Sequence, residues 1–112
     1  MIHVYYTDVN GELRLDMKGH GDLENMEKLD VMCAAATTLA NTLALMVNTY
    51  EEVGMLYEKL VYVGDDGEGK ARILAKPKPE YFNIVKTSFE TIACGFYPLA
   101  HLYPDKVAFI KE

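Results

Sequence analysis

The chain has 112 residues, of which 50% are hydrophobic and 25% charged, so it can bury one core without disulfides, and this composition excludes a disordered chain. Its formal net charge of −6 argues against a nucleic-acid-binding protein of the usual kind, which needs a basic face, and is compatible with a basic partner. The N-terminus lacks the features of a signal peptide, and the longest apolar stretch, Val31 to Val47, is interrupted by polar residues, so we expect a cytoplasmic protein that does not contact membranes.

The first predicted element is a β-hairpin. Residues 1–8 alternate with β-branched and aromatic side chains, and residues 12–19 alternate again, as half-buried strands do. Asn10 and Gly11 between them form a strong signal for a tight turn, because both residues tolerate positive φ. His20 then stands where the second strand ends.

A loop and a helix are predicted next. Residues 21–29 are polar and show no clean period, which predicts a loop. Asp30 can cap a helix that runs to about Asn48, since its carboxylate can accept hydrogen bonds from first-turn amides. This helix is small and apolar nearly all round, so we expect it to be buried on more than one side, against a partner subunit.

The second half of the chain repeats the pattern of hairpin and helix. Strands are predicted at residues 55–63 and 70–76, joined by a turn that contains Asp65, Asp66, Gly67 and Gly69. A helix follows from about Glu80 to Leu102, and Gly95 and Pro98 within it predict a kink or an early end. A final strand is predicted from Val107 to Ile110. The order ββαββαβ indicates an α+β fold in one small domain, with a mostly antiparallel sheet and two helices packed on it.

Cys33 is the first candidate for chemistry. It lies three residues after the proposed cap Asp30, and a helix start favours the thiolate, the reactive form of cysteine. The small residues that follow, beginning with Ala34, would leave room for a peptide backbone, and nearby amides could stabilise an oxyanion.

His20 is the second candidate. An imidazole can be cationic beside a thiolate and then protonate a departing amine. Gly19 and Gly21 bracket this histidine and allow close approach of the backbone. A strand end, a loop and a helix start could bring His20 to Cys33.

Each candidate has an ordinary structural alternative. A cysteine in an alanine-rich helix is commonly a small core residue, and a histidine between glycines is commonly a turn residue. Cys94 lies in a helix two residues before a phenylalanine, so we expect it to pack against other residues rather than to react. Neither His3 nor His101 is assigned a catalytic role. No residues have convincing spacing for metal ligands, so we expect neither a metal nor another cofactor.

Two segments resemble the ribosomal-processing cysteine protease family called Prp. They are Gly19-His20-Gly21 and the run from Asp30 to Thr37, which reads DVMCAAAT. The family pattern is Gly-His-small, a short loop, and then Asp-Ile-Val-Cys-Ala-Ala followed by a small residue and Ser. The resemblance extends along the whole chain, including a late Tyr103-Pro104 before the last strand.

The resemblance implies one Prp-like protease domain over residues 1–112. Family members remove an N-terminal extension from a large-subunit ribosomal protein, and they are typically homodimers. Carried over, Cys33 would be the nucleophile and His20 the general acid and base. Asp30 would position the loop, and Gly19, Gly21, Ala34 and Thr37 would belong to the loop or the substrate-binding surface.

The sequence departs from the family pattern at several positions. Gly21 replaces the commoner Ala, Met32 replaces an aliphatic residue, and Thr37 replaces Ser. None of these changes removes the two candidates for chemistry. Two alternatives to a peptidase stay open: a non-catalytic module that binds peptides or helps ribosome assembly, and a redox-responsive thiol protein.

Overall fold

The computed structural model describes residues 1–19, 26–64 and 70–111, and for residues 26–30 and 33 the backbone alone. The elements in chain order are β1 (Ile2–Val9), β2 (Glu12–Lys18), α1 (Met26–Glu52), β3 (Leu56–Val63), β4 (Ala71–Pro77), a 3₁₀ turn (Pro79–Tyr81), α2 (Phe82–Leu102) and β5 (Val107–Lys111). The predicted order ββαββαβ is confirmed.

The β1–β2 hairpin turns where the sequence predicts. Asn10 and Gly11 have φ angles of 54° and 79°, and Val9 pairs with Glu12 on either side of them. Two successive residues with positive φ match the right-handed twist of the flanking strands, which is why Asn-Gly is favoured there.

The described strands form one five-stranded sheet in the order β3-β4-β2-β1-β5. Neighbouring strands are antiparallel except for β1 and β5, which run parallel with Ile2 opposite Val107. The sheet is therefore mostly antiparallel, as predicted, and β3 and β5 are its edges.

The core lies between one face of the sheet and the two helices. Alternate residues of the central strands are buried, as are Phe89 and Phe96 on α2, while the opposite face of the sheet is only partly covered. The helices contact each other closely at Gly95, where a Cβ would lie 2.7 Å from Leu39 Cδ2. No helix among the described residues has the length and apolar character needed to cross a membrane.

One predicted helix limit is wrong, and another is confirmed. α1 begins at Met26, so Asp30 lies inside the helix and does not cap it. Residues 26–29 are Met, Glu, Lys and Leu, which are all good helix formers, so the helix begins four residues before Asp30. α2 ends at Leu102 as predicted, and the early end suggested by Gly95 and Pro98 does not occur. The missing proline N–H costs one hydrogen bond, while Phe96 before Pro98 and Leu99 after it pack in or against the core.

Other expectations fall outside the described residues. They concern His20 and Gly21, residues 21–25 of the predicted loop, and the turn at residues 65–69. Within the chain, α1 buries one face and exposes another, where Val31 and Leu45 are 65% and 69% exposed. Burial of this second face against a partner stays a prediction.

Candidate active site

Gly19 determines how the chain leaves β2, immediately before His20. Lys18 pairs with His3 at the start of β1, and Gly19 follows with a φ of 115°. A Cβ at this position would collide with the carbonyl oxygen of Met1. Only glycine meets both requirements without strain, so the predicted importance of Gly19 has a structural reason of its own.

Cys33 lies on α1, seven residues after its first residue, Met26, or about two turns into the helix. One turn further along, Ala36 is buried against the core and Thr37 is exposed. Position 33 therefore lies at the border between the buried and the exposed face of α1. The side chains of Cys33 and Asp30 are outside the described residues.

The position of Cys33 changes the electrostatic argument for its reactivity. Unpaired amides and the positive end of the helix dipole act within the first turn. Because α1 begins at Met26, the prediction that Cys33 lies in that first turn is wrong, and the helix start no longer supports a thiolate at this position. A reactive thiolate at position 33 would need a cationic neighbour such as a protonated histidine.

The helix surface next to position 33 is open and built from small side chains. Ala34 and Thr37 are both exposed. The carbonyl of Ala34 accepts a hydrogen bond of 2.7 Å from Thr38 Oγ1 in addition to its place in the helix. An extended chain could approach α1 here without displacing a large side chain.

Cys94 differs from its prediction. It is a free cysteine and exposed, although the sequence predicts packing. The buried residues of α2 include Phe89, Ala93 and Phe96, and two residues of separation from Phe96 put Cys94 on another side of the helix. The three- and four-residue spacing of the buried set is the signal that could have shown this.

The remaining histidines of the described residues make aromatic contacts. His3 stacks on Tyr5 and His101 on Tyr97, each pair with ring centroids 6.4 Å apart. No group of three or more histidine, cysteine, aspartate and glutamate side chains that could hold a metal occurs within the described residues.

Comparison with models of known protein families identifies the family of this chain. The family model described as cysteine protease Prp matches residues 1–108, almost the whole chain. The chain belongs to the Prp family. No curated protein sequence matches the chain significantly.

Solved structures share the fold of this Prp family member. The ribosomal processing protease Prp from S. aureus, in complex with a substrate peptide, has 17% identity and a TM-score of 0.71, with 100% of both chains covered. The same protease with a covalently linked product peptide has 18% identity and a TM-score of 0.69, again over 100% of both chains. SMU.848 from Streptococcus mutans has 24% identity and a TM-score of 0.64, over 100% of this chain and 96% of the other.

Proposed function

We propose that this chain is a cysteine endopeptidase that removes the N-terminal extension of a large-subunit ribosomal protein precursor. The observation that carries the proposal is the match of the Prp family model over residues 1–108, which includes both candidates for chemistry. Cys33 is the nucleophile and His20 the general acid and base.

The reaction proceeds through an acyl-enzyme. The Cys33 thiolate attacks the scissile carbonyl carbon, and His20, holding the proton from the thiol, gives it to the departing amine. A water molecule, deprotonated by His20, then attacks the thioester and releases the acid product and the thiol. The chain needs no metal or cofactor for these steps.

Two features of the described backbone support this assignment. Gly19 holds a backbone geometry that other residues adopt only with strain, and His20 is the next residue. Position 33 borders the exposed face of α1, beside the small residues Ala34 and Thr37. In the proposal Gly21 belongs to the segment that joins His20 to α1, and Asp30 lies within α1, three residues before Cys33.

The partners follow from the same proposal. A peptide tail would lie along the open surface beside position 33, and an S. aureus relative in the family was solved with a substrate peptide. The exposed Val31 and Leu45 of α1 support a homodimer, because a second copy would remove them from water. The protease acts in the cytoplasm, where ribosomal proteins are made.

Incubation with the precursor tests the proposal. The wild-type chain should release the extension, as seen by mass spectrometry, and Cys33→Ala should release none. Cys94→Ala is the matched control, because this cysteine is exposed and free, and it should cut at the wild-type rate. Cleavage by Cys33→Ala would refute the proposal, and a stable complex with uncut precursor for the wild type would favour a binding module instead.

Alkylation of Cys33 at different pH values tests the pairing with His20. The apparent pKa of the thiol should lie below that of an ordinary cysteine in the wild type and rise in His20→Ala. Peptide mapping separates the reaction at Cys33 from that at Cys94. Equal titration of Cys33 in both proteins would contradict the role of His20.

A further inference from the structure

The face of the sheet that points away from the helices has no described helix packed on it. It consists of the odd-numbered residues of β1 and the even-numbered residues of β2, β4, β5 and, from Glu58 onward, β3, because the other residues of these strands point toward the core. We call this surface the open face. Its apolar and aromatic side chains that are more than a third exposed are Tyr5, Val9, Leu60, Tyr62 and Ile110. The open face lies across the sheet from α1, so it is separate from the surface beside Cys33.

Two arginines share one carboxylate at the centre of the open face. Arg14 Nε donates a hydrogen bond of 2.7 Å to Asp16 Oδ2, and Arg72 Nε lies 3.6 Å from Asp16 Oδ1. The second contact is an ion pair without a hydrogen bond, since Oδ1 has no hydrogen-bond partner among the described residues. In the part of the chain that the structure describes, neither arginine pairs with another carboxylate. This trio therefore has an excess of one positive charge.

Both guanidinium groups of the trio are accessible. The side chains of Arg14 and Arg72 are 35% and 54% exposed. A guanidinium is planar and has five N–H donors, which match the two oxygens of a carboxylate. A second carboxylate placed against both arginines would balance the charge of the trio, and hydrogen bonds between such ions are stronger than those between neutral groups.

Apolar and aromatic side chains flank the trio. Tyr62 is the cross-strand neighbour of Arg72 and is 42% exposed. Tyr5 is the neighbour of Asp16 and is 39% exposed. Leu60, two residues before Tyr62 on the same strand, is 49% exposed. Tyrosine and arginine are enriched among the residues that dominate protein–protein binding, so this composition is typical of a protein interface.

Charge distinguishes among the occupants of the open face. Its strands place four basic and three acidic side chains there, whereas the whole chain has a formal net charge of −6. Nucleic acid needs several contacts to phosphates, and one excess positive charge does not supply them. A second copy of the chain would bring the same arginine pair to the centre, and the two trios would repel each other. A protein segment with an acidic side chain meets neither obstacle.

We propose that the open face docks an acidic segment of a partner protein, with one carboxylate of that segment between the guanidinium groups of Arg14 and Arg72. Apolar neighbours of the acidic residue pack on Tyr62 and Leu60. Five strands of this length cover roughly 500 Å², which is at the low end for one side of a specific interface. The complex is therefore transient, and salt weakens it because the arginines are exposed.

Two matched peptides test the need for a carboxylate. Acetyl-Leu-Glu-Leu-amide and acetyl-Leu-Gln-Leu-amide have nearly the same shape and differ in charge. NMR follows the backbone amides of Arg14, Tyr62 and Arg72 at millimolar peptide. The Glu peptide should shift these amides and bind at least fivefold more tightly than the Gln peptide. Absence of a shift on the open face, or equal binding of the two peptides, would overturn the proposal.

Two variants test the position of the carboxylate. Arg72→Gln should weaken binding of the Glu peptide at least fivefold and remove its advantage over the Gln peptide. Lys76→Gln is the matched control, because it removes the same charge from the same strand and face, four residues from Arg72. It should change binding less than twofold. Equal losses in the two variants would show a general attraction for anions and contradict the site.

The other occupants predict different results. Octauridylate RNA that binds the wild type more tightly than the Glu peptide would assign the open face to nucleic acid. Self-association that Arg72→Gln abolishes in analytical ultracentrifugation would assign it to a second copy of the chain. We expect neither result, and each would overturn the proposal.

Discussion

Replacement of Tyr6 by phenylalanine should stabilise the protein more at high pH than at neutral pH. The hydroxyl of Tyr6 is buried and has no hydrogen-bond partner among the described residues, and burial together with Glu90 and Asp8 raises its pKa from 10.0 to about 12. The folded protein therefore holds this proton more tightly than the unfolded chain does. The contribution of this proton to the free energy of unfolding is fully present below pH 10. It is lost as the pH rises, because Tyr6 ionises in the unfolded chain first.

The size of the effect follows from the two pKa values. A difference of about two pKa units corresponds to roughly 2.7 kcal/mol once both states are ionised, and at pH 11 to about 1.4 kcal/mol. Tyr6→Phe lacks this titration. It should therefore match or exceed the wild-type free energy of unfolding at pH 8, and exceed it by about a further 1.4 kcal/mol at pH 11.

Urea unfolding followed by circular dichroism at pH 8 and pH 11 measures both values. All other side chains are the same in both proteins, so their contribution cancels in the difference. Tyr5→Phe is the control for removal of a tyrosine hydroxyl from β1, because Tyr5 is 39% exposed. If the free energies of unfolding of the wild type and Tyr6→Phe differ by the same amount at pH 8 and pH 11, the reasoning is refuted.

Three further substitutions test the fold. Gly19→Ala should lower both the free energy of unfolding and the cleavage rate. Gly54→Ala should lower them less, because Gly54 also has a positive φ but has open space for a Cβ. Equal losses in urea unfolding would show that the close approach to Met1 is not the cause. Phe89→Ala should cost about 3–5 kcal/mol in urea unfolding and the exposed Ile84→Ala under about 1, so similar costs would place the core elsewhere. Lys86→Gln should lower the Tm only at low salt, because the half-exposed ion pair between Lys86 and Asp8 is screened in 1 M salt. A loss of Tm that persists in 1 M salt would show that this ion pair is not a surface contact.

Local signals in the sequence predict several elements correctly. The Asn10-Gly11 turn and the alternation on both sides of it are enough to place the first hairpin and its register. The start of α1 is missed because residues 21–29 are polar as a group, while the helix-forming run from Met26 to Leu29 extends the helix backward. A residue such as Asp30 can cap a helix, but its presence does not mean that a helix begins there.

Features set by tertiary contacts could not be predicted. The strand order β3-β4-β2-β1-β5 depends on which edges meet, and residue patterns give no information on it. Cys94 is a different case, because the three- and four-residue spacing of the buried residues of α2 could have shown that it lies on another side of the helix. For the candidate site, the pairing of Cys33 with His20 comes from the family resemblance, and the spacing of residues only allows it.

The parallel contact between β1 and β5 has a kinetic consequence. Ile2 and Val107 are 105 positions apart and lie side by side in the sheet. Contacts between such distant residues carry a large loop-closure entropy and slow the search for the native state. During synthesis, one edge of β1 stays without its neighbour until β5 has left the ribosome, so the pairing of these two strands is a late step in closing the sheet.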